Sequence, residues 1–232
     1  MRKQEIIQSI IDVLKAQTYL EIGVQRGKNF FAINAPAKVA VDPNFMFGIT
    51  RRIINLSQLF THSFIEKTSN DFFDQDAKRV LSKGLDVSFI DGLHTYEQSL
   101  LDFENSLKHL NKGGVILFHD CNPLSPGAGV HADSPGNARE TFSEDIMEWN
   151  GDVWKTIVHI RSHYKDLNVF VLDCDHGVGV VYQAPSEKKL QFTRQEIEKL
   201  SYEYFNGNRK ELLNLKEPEF LSEFRKKLKN RS

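Results

Sequence analysis

Two strand-like runs in this chain end in an acid and an imidazole. Asp86-Val-Ser-Phe-Ile-Asp91-Gly-Leu-His94 closes on a carboxylate with a histidine three residues beyond, and Gly114-Val-Ile-Leu-Phe118 runs straight into His119-Asp120-Cys121-Asn122-Pro123. Both read as buried strands. Ligands of open α/β sheets bind outside the carboxyl ends of the strands, so the two endings predict one site. Carboxylate and imidazole together suit proton transfer or metal binding. The carboxylates of Asp91 and Asp120 could share one divalent cation, Mg²⁺, Ca²⁺ or Mn²⁺ by their hardness. An imidazole from His119 would shift the preference toward Mn²⁺ or Zn²⁺.

A second set of residues lies upstream. Glu21-Ile-Gly23-Val-Gln-Arg-Gly27 is a glycine-containing turn after an apolar run, and Asp42 ends the next run nineteen positions after Gly23. Glycine allows positive φ and a close approach of ligand to backbone. A carboxylate at that distance can accept hydrogen bonds from both ribose hydroxyls. This is no dinucleotide fingerprint, because Gln25 stands at the middle glycine position of G-x-G-x-x-G. The plainer reading makes Gly23 and Gly27 turn residues and Asp42 a solvated strand end.

The elements that must position these groups follow from periodicity. Ile6, Ile7, Ile10, Ile11 and Leu14 give residues 4–16 an amphipathic helix. Strands are expected at 18–22, 38–42, 62–66, 86–90 and 115–118, with helical signal at 72–81 and 96–110 and a helix stop at Asn111-Lys112-Gly113-Gly114. A helical turn is expected through Phe30 and Phe31. Alternating strands and helices predict βαβ units and a parallel sheet, an α/β doubly wound fold of the Rossmann-like kind. Residues 122–137 read as a long loop, carrying His131 and Asp133, that could close over an acceptor or simply lie on the surface. Beyond it, 139–149 reads as helix, 153–160 and 168–172 as strands, and 178–182 as the second arm of a hairpin. Helices are expected at 195–204 and 217–228. The organisation expected is one domain over 1–185, with a charged helical extension, 186–232, packed on it.

Bulk properties narrow the class. The chain has 232 residues, 40% hydrophobic and 26% charged, with 17 phenylalanines and a formal net charge of −1. That composition fits a globular protein with an aromatic-rich core, and no global field favours nucleic acid or an anionic membrane. Cys121 and Cys174 are too few for a disulfide framework or a thiolate zinc site. No apolar stretch has the length of a membrane span, and no secretory signal is seen, so a cytoplasmic location is the default expectation. The charge-rich faces at 209–216 and 225–231 read as solvated, with homo-oligomer formation as the other use.

The order E-x-G-x-x-x-G, V-D-P, F-I-D-G-x-H-x-Y-E, L-x-x-G-G-x-I-x-x-H-D resembles the class I S-adenosylmethionine-dependent methyltransferases over residues 15–125. More narrowly it is similar to methyltransferase family 24, related to metal-dependent sugar O-methyltransferases. The resemblance implies a mostly parallel seven-stranded sheet ending in an antiparallel hairpin, with S-adenosyl-L-methionine over strands one, two and four. It implies Glu21, Gly23 and Gly27 along the methionine and ribose, Asp42 on the ribose hydroxyls, Ser69 near the adenine, and Asp91 facing the same crevice. The relatives carry adjacent acids where this chain has His119-Asp120, a departure that bears on the metal. The mechanism expected is O-methylation of a small hydroxylated, sugar-like acceptor. His94 serves as general base beside Asp91, and Asp91, Asp120 and His119 hold a divalent cation such as Mg²⁺. The plainer reading of His94 and Tyr96 is a helix cap. Two other functions compete: a nicotinamide-dependent oxidoreductase on a similar sheet, disfavoured by Gln25, and a non-catalytic binding subunit of the same fold.

Overall fold

The computed structural model describes residues 1–48, 61–141 and 149–230. The chain runs α1 (Lys3–Leu14), β1 (Thr18–Ile22), β2 (Ala37–Val41), β3 (His62–Ile65), α2 (Ser69–Gln75), α3 (Ala77–Val80), β4 (Leu85–Ile90), α4 (Tyr96–His109) and β5 (Leu110–Phe118). It continues α5 (Pro135–Thr141), α6 (Trp154–His163), β6 (Leu167–Leu172), β7 (Val178–Gln183), α7 (Arg194–Glu198), α8 (Tyr202–Leu213), β8 (Leu215–Lys216) and α9 (Phe220–Lys229).

The strands form one sheet in the order β3-β2-β1-β4-β5-β7-β6-β8. Strands β3 through β5 pair in parallel, β7 is antiparallel to both its neighbours, and β8 is parallel to β6. The chain starts in the middle of the sheet, fills one side, then returns to fill the other. The reversal falls between β1 and β4, where their carboxyl ends open a crevice.

Strand parity sorts the side chains. Leu20, Ile22, Val39, Val41, Ile90, Ile116 and Phe118 pack on one face with α4 and α6. Tyr19, Ala40, Val87, Phe89, Val115 and Leu117 pack on the other with Ile6, Ile7 and Ile10 of α1 and Phe224 of α9. Because successive side chains alternate, Glu21, Asp91 and His119 continue the second set, on the α1 side. Of the carboxyl-terminal helices, α9 shares the core of α1, while Ile197 of α7 and Phe205, Leu212 and Leu213 of α8 pack on the opposite face.

Several expectations need correction. Among the described residues the sheet has eight strands where seven were expected, because Leu215–Lys216 adds a short strand beside β6. Residues 153–160 form α6 and no strand. Their β-branched residues suggested a strand, but Trp154, Ile157, Val158 and Arg161 recur at helical spacing and are buried together. The expected stop at 111–114 lies within β5, since α4 ends at His109. The helix expected at 72–81 begins earlier, where Thr68 Oγ1 accepts from Asp71 N at 3.1 Å, and breaks at Asp76. The helix expected at 195–204 is two, divided where Ser201 caps α8. Phe30 and Phe31 sit in successive turns. Of the helix expected at 139–149, residues 142–148 lie outside the described residues; α5 covers 135–141.

Candidate active site

The first strand end is a tight turn with an acid beneath it. Gly23 (φ +83°) donates its N–H to Val41 O at 2.9 Å, and a Cβ there would collide with the Asp91 carbonyl. Only glycine lets the β1 and β4 ends approach this closely. Gln25 also takes a left-handed conformation (φ +46°), the geometry that glycine supplies in other turns of this kind. Its amide donates to Asp42 Oδ2 at 2.8 Å, and Asn44 N donates to Asp42 Oδ1 at 2.8 Å. Asp42 thus braces the turn, and each oxygen keeps acceptor capacity for a hydroxyl. Gly27 (φ +71°) packs where a Cβ would meet the Phe31 ring.

Glu21 is 1% exposed and is held by neutral donors, Tyr19 Oη at 2.6 Å and Asn29 Nδ2 at 2.8 Å. Burial pushes its carboxyl up to about 7, against the pull of those hydrogen bonds. Asn29 Oδ1 is buried without a partner among the described residues. Ser69 Oγ accepts from Gln98 Nε2 at 3.1 Å, and the same nitrogen reaches Asp102 Oδ1 at 2.9 Å. That group faces Gly92, the residue after Asp91.

The second pair of strand ends is built differently. Asp91 follows β4 with its amide on Ile22 O at 2.9 Å, and His119 follows β5 with its amide on Ile90 O at 3.1 Å. Asp120 turns left-handed (φ +58°), uncommon for a residue with a Cβ, and this brings its carboxylate back to the site. His119 Nδ1 lies 2.9 Å from Asp120 Oδ2 and 3.3 Å from Asp91 Oδ1, bridging the two acids. Burial opposes a charge on His119, but the Asp91 and Asp120 carboxylates push it up to about 11. Burial likewise opposes ionisation of Asp91, yet the His119 charge and hydrogen bonds from His119 and His94 hold it well below the usual carboxylate range.

His94 sits between the acids. Its Nε2 is 3.5 Å from Asp91 Oδ1 and 3.3 Å from Asp120 Oδ2. Its Nδ1 is 3.1 Å from the Trp149 carbonyl oxygen, which can only accept, so Nδ1 carries the hydrogen and the lone pair of the neutral ring belongs to Nε2. Burial lowers the His94 pKa, but the Asp91 hydrogen bond and the two carboxylate charges raise it overall. Asp91, His94 and Asp120 each offer a ligand atom, all within 4.8 Å of one another, so three of the predicted residues converge as a potential cation-binding set. The set contains His94 and not the predicted His119. His119 Nδ1 is instead taken up by the two acids.

Four contributors lay outside the site predicted from the sequence. Lys3 Nζ donates to Asp91 Oδ2 at 2.8 Å and Lys3 N to Asp175 Oδ2 at 2.6 Å. Trp149 packs its ring 5.1 Å from that of His94 and ties its Nε1 to Val130 O at 3.0 Å. Asn150 Nδ2 donates to Asp120 Oδ1. Asp152 Oδ1 accepts from Tyr96 N at 2.8 Å, capping α4 just beyond His94, and its carboxylate also meets His131 at 3.2 Å. Gly151 (φ +62°) lies so close to His94 O that no Cβ would fit. The run Asn150-Gly151-Asp152 carries turn chemistry that marks a tight approach. Nothing local marks Lys3.

This sheet order, with a reversed β7, gathers acids near the carboxyl ends of β1, β2, β4 and β5. The family model Methyltransf_24, described as a methyltransferase domain, matches residues 20–121. The span includes every predicted site residue and none of Lys3, Trp149, Asn150 or Asp152.

Similar solved structures include the O-methyltransferase TomG from Streptomyces achromogenes in complex with SAM, at 14% identity and TM-score 0.57, covering 78% of this chain and 79% of that one. A putative O-methyltransferase from Klebsiella pneumoniae gives 13% identity and TM-score 0.54, covering 78% and 80% respectively. At these identities the likeness establishes the fold. A curated relative, uncharacterized protein R132 of Acanthamoeba polyphaga mimivirus, is 29% identical over 112 residues, and the match spans 51% of that protein and 44% of this chain. No helix among the described residues is long and apolar enough to cross a membrane.

Proposed function

We propose that this chain transfers the methyl group of S-adenosylmethionine to an oxygen of a small hydroxylated acceptor, sugar-like by its family resemblance. The single observation that carries the reading is the position of His94. Its Nδ1 is fixed to a backbone carbonyl and its Nε2 turned toward two acids, beside the glycine turn at the switch point. The cofactor-bound TomG structure supports the cofactor by analogy.

The residues fit the cofactor. The turn at 23–27 is fixed by left-handed Gly23, Gln25 and Gly27, Asp42 at its base retains acceptor capacity for ribose hydroxyls, and Asn29 Oδ1 is an unused acceptor beside Glu21. In the reaction the acceptor oxygen forms a bond to the methyl carbon as the carbon–sulfur bond breaks. The acceptor proton passes to His94 Nε2, and the sulfonium becomes a neutral thioether. Asp91 and Asp120 stabilise the resulting imidazolium, and the protein's main contribution is alignment.

A second use of the same atoms is favoured by the mutual reach of Asp91, His94 and Asp120. Two carboxylate oxygens and one imidazole nitrogen suit a divalent ion of the Mn²⁺ kind, which would orient an acceptor hydroxyl and lower its pKa. His94 Nε2 has one lone pair, so it serves as base or as ligand, not both.

The test is calorimetric titration with S-adenosylhomocysteine and, separately, NADH. Micromolar binding of the first with none of the second supports the reading. The reverse result would move the chain to the oxidoreductase class, and no binding of either would favour the non-catalytic subunit.

A further inference from the structure

The acidic group at the β4 and β5 ends draws one side chain from far upstream. Lys3 opens α1; its Nζ donates to Asp91 and lies 3.5 Å from His119 Nδ1, and its backbone N donates to Asp175, residues 88, 116 and 172 positions away. Its side chain is 19% exposed and its ammonium lies 5.6 Å from the centre of the Phe89 ring. Parity explains the meeting. Phe89 and Asp91 face the α1 side of the sheet, and α1 lies across that side with its first turn over the strand ends.

The position of the ammonium matters for the alternative uses of His94. A divalent ion on Asp91 Oδ1, His94 Nε2 and Asp120 Oδ2 would consume the lone pair that must otherwise accept the acceptor's proton. Lys3 holds the other oxygen of the same Asp91 carboxyl group. An ammonium and a dication on one carboxylate repel across a few ångströms, in a site with little water to screen them. Lys3 also satisfies Asp91 electrostatically, removing much of what would draw an ion in.

We propose that Lys3 is a positioning residue that disfavours divalent-ion uptake by Asp91, His94 and Asp120, and so reserves His94 Nε2 for the proton of the acceptor. The proposal rests on the methyl-transfer reading for its purpose but is tested apart from it.

The experiment is Mn²⁺ titration of the full chain, followed by electron paramagnetic resonance and calorimetry, comparing wild type, Lys3→Arg and Lys3→Met. Methionine keeps an unbranched apolar stem against Phe89 and removes the charge, and thermal unfolding checks that each variant is folded. Lys3→Met should bind Mn²⁺ about tenfold or more tightly than wild type, Lys3→Arg should stay near wild type, and Asp91→Asn added to Lys3→Met should erase the gain. Equal Mn²⁺ affinity in Lys3→Met and wild type, weaker binding in Lys3→Met, or a gain that survives Asp91→Asn would overturn the role given to Lys3. S-adenosylhomocysteine affinity, measured on the same preparations, reports on the methyl-transfer reading independently of these results.

Discussion

Glu21 and Asp91 stand at the ends of neighbouring parallel strands, on the same face of the sheet, and their environments shift their ionisation in opposite directions. Glu21 meets a phenol and an amide, both neutral, and burial raises its carboxyl to about 7. Asp91 meets an ammonium and two imidazoles, and stays ionised despite burial. Burial costs both groups their hydration; what differs is whether a cation replaces it. The lesson is one of division of labour. Near neutral pH the Glu21 carboxyl at the first edge is only partly ionised. The second keeps a standing separation of charge, suited to stabilising a proton as it moves.

That contrast can be broken from either side. The largest effect is expected from His94→Ala, which removes the proposed base: turnover should fall by about 10²–10⁴, while S-adenosylhomocysteine affinity changes by no more than a few-fold. A comparable loss of cofactor binding would place His94 on the cofactor edge instead. Next comes His119→Gln, which leaves Asp91 and Asp120 facing each other without the imidazolium that bridges them. Denaturant unfolding at pH 7 should show a loss of about 3–5 kcal/mol. The sign follows from linkage. A histidine raised from 6.5 to about 11 contributes fully below 6.5, and its contribution fades as pH rises toward 11.

Glu21→Gln tests the neutral edge. A carboxyl raised from 4.5 to about 7 makes the folded state bind more protons than the unfolded one in that window, so its contribution to stability falls as pH rises through it. The glutamine variant does not titrate. The stability difference between variant and wild type should therefore move by about 2–3 kcal/mol in the variant's favour between pH 4.5 and pH 8, read from paired urea curves. A flat difference would mean that the Glu21 carboxyl titrates in the folded protein as it does in the unfolded chain. The smallest effect belongs to Asn150→Ala. Losing the amide on Asp120 should cost about 1–2 kcal/mol of stability and leave cofactor binding unchanged.

The sequence disclosed the acids better than their partners. Glu21, Asp42, Asp91 and Asp120 were visible because each ends an apolar run, and a strand end must point a polar group at solvent or a ligand. The parallel sheet was visible for the same reason, through runs such as Val39–Val41 and Val115–Phe118 that have no polar face. Lys3 was hidden because its contact spans 88 positions and depends on which face α1 covers, a tertiary choice with no local signature. Asn150 and the Trp149 carbonyl were hidden behind a loop whose return path has no periodicity. His119 looked like a ligand because its type suits a metal; only the geometry shows both neighbouring acids already bonded to its Nδ1. The helix at 154–163 was misread because isoleucine and valine favour strands in isolation, while packing between α4 and β6 decided otherwise.

The two-residue strand Leu215–Lys216 has a consequence out of proportion to its length. It pairs with Val171 and Leu172, and Lys216 O accepts from Asp173 N at 2.9 Å, closing the upper part of the outer edge of β6. An uncovered edge made of Leu-Asn-Val-Phe-Val-Leu would offer a template for strands of other molecules. The tail thereby shields an aggregation-prone rim, with a lysine at the spot where an incoming chain would dock.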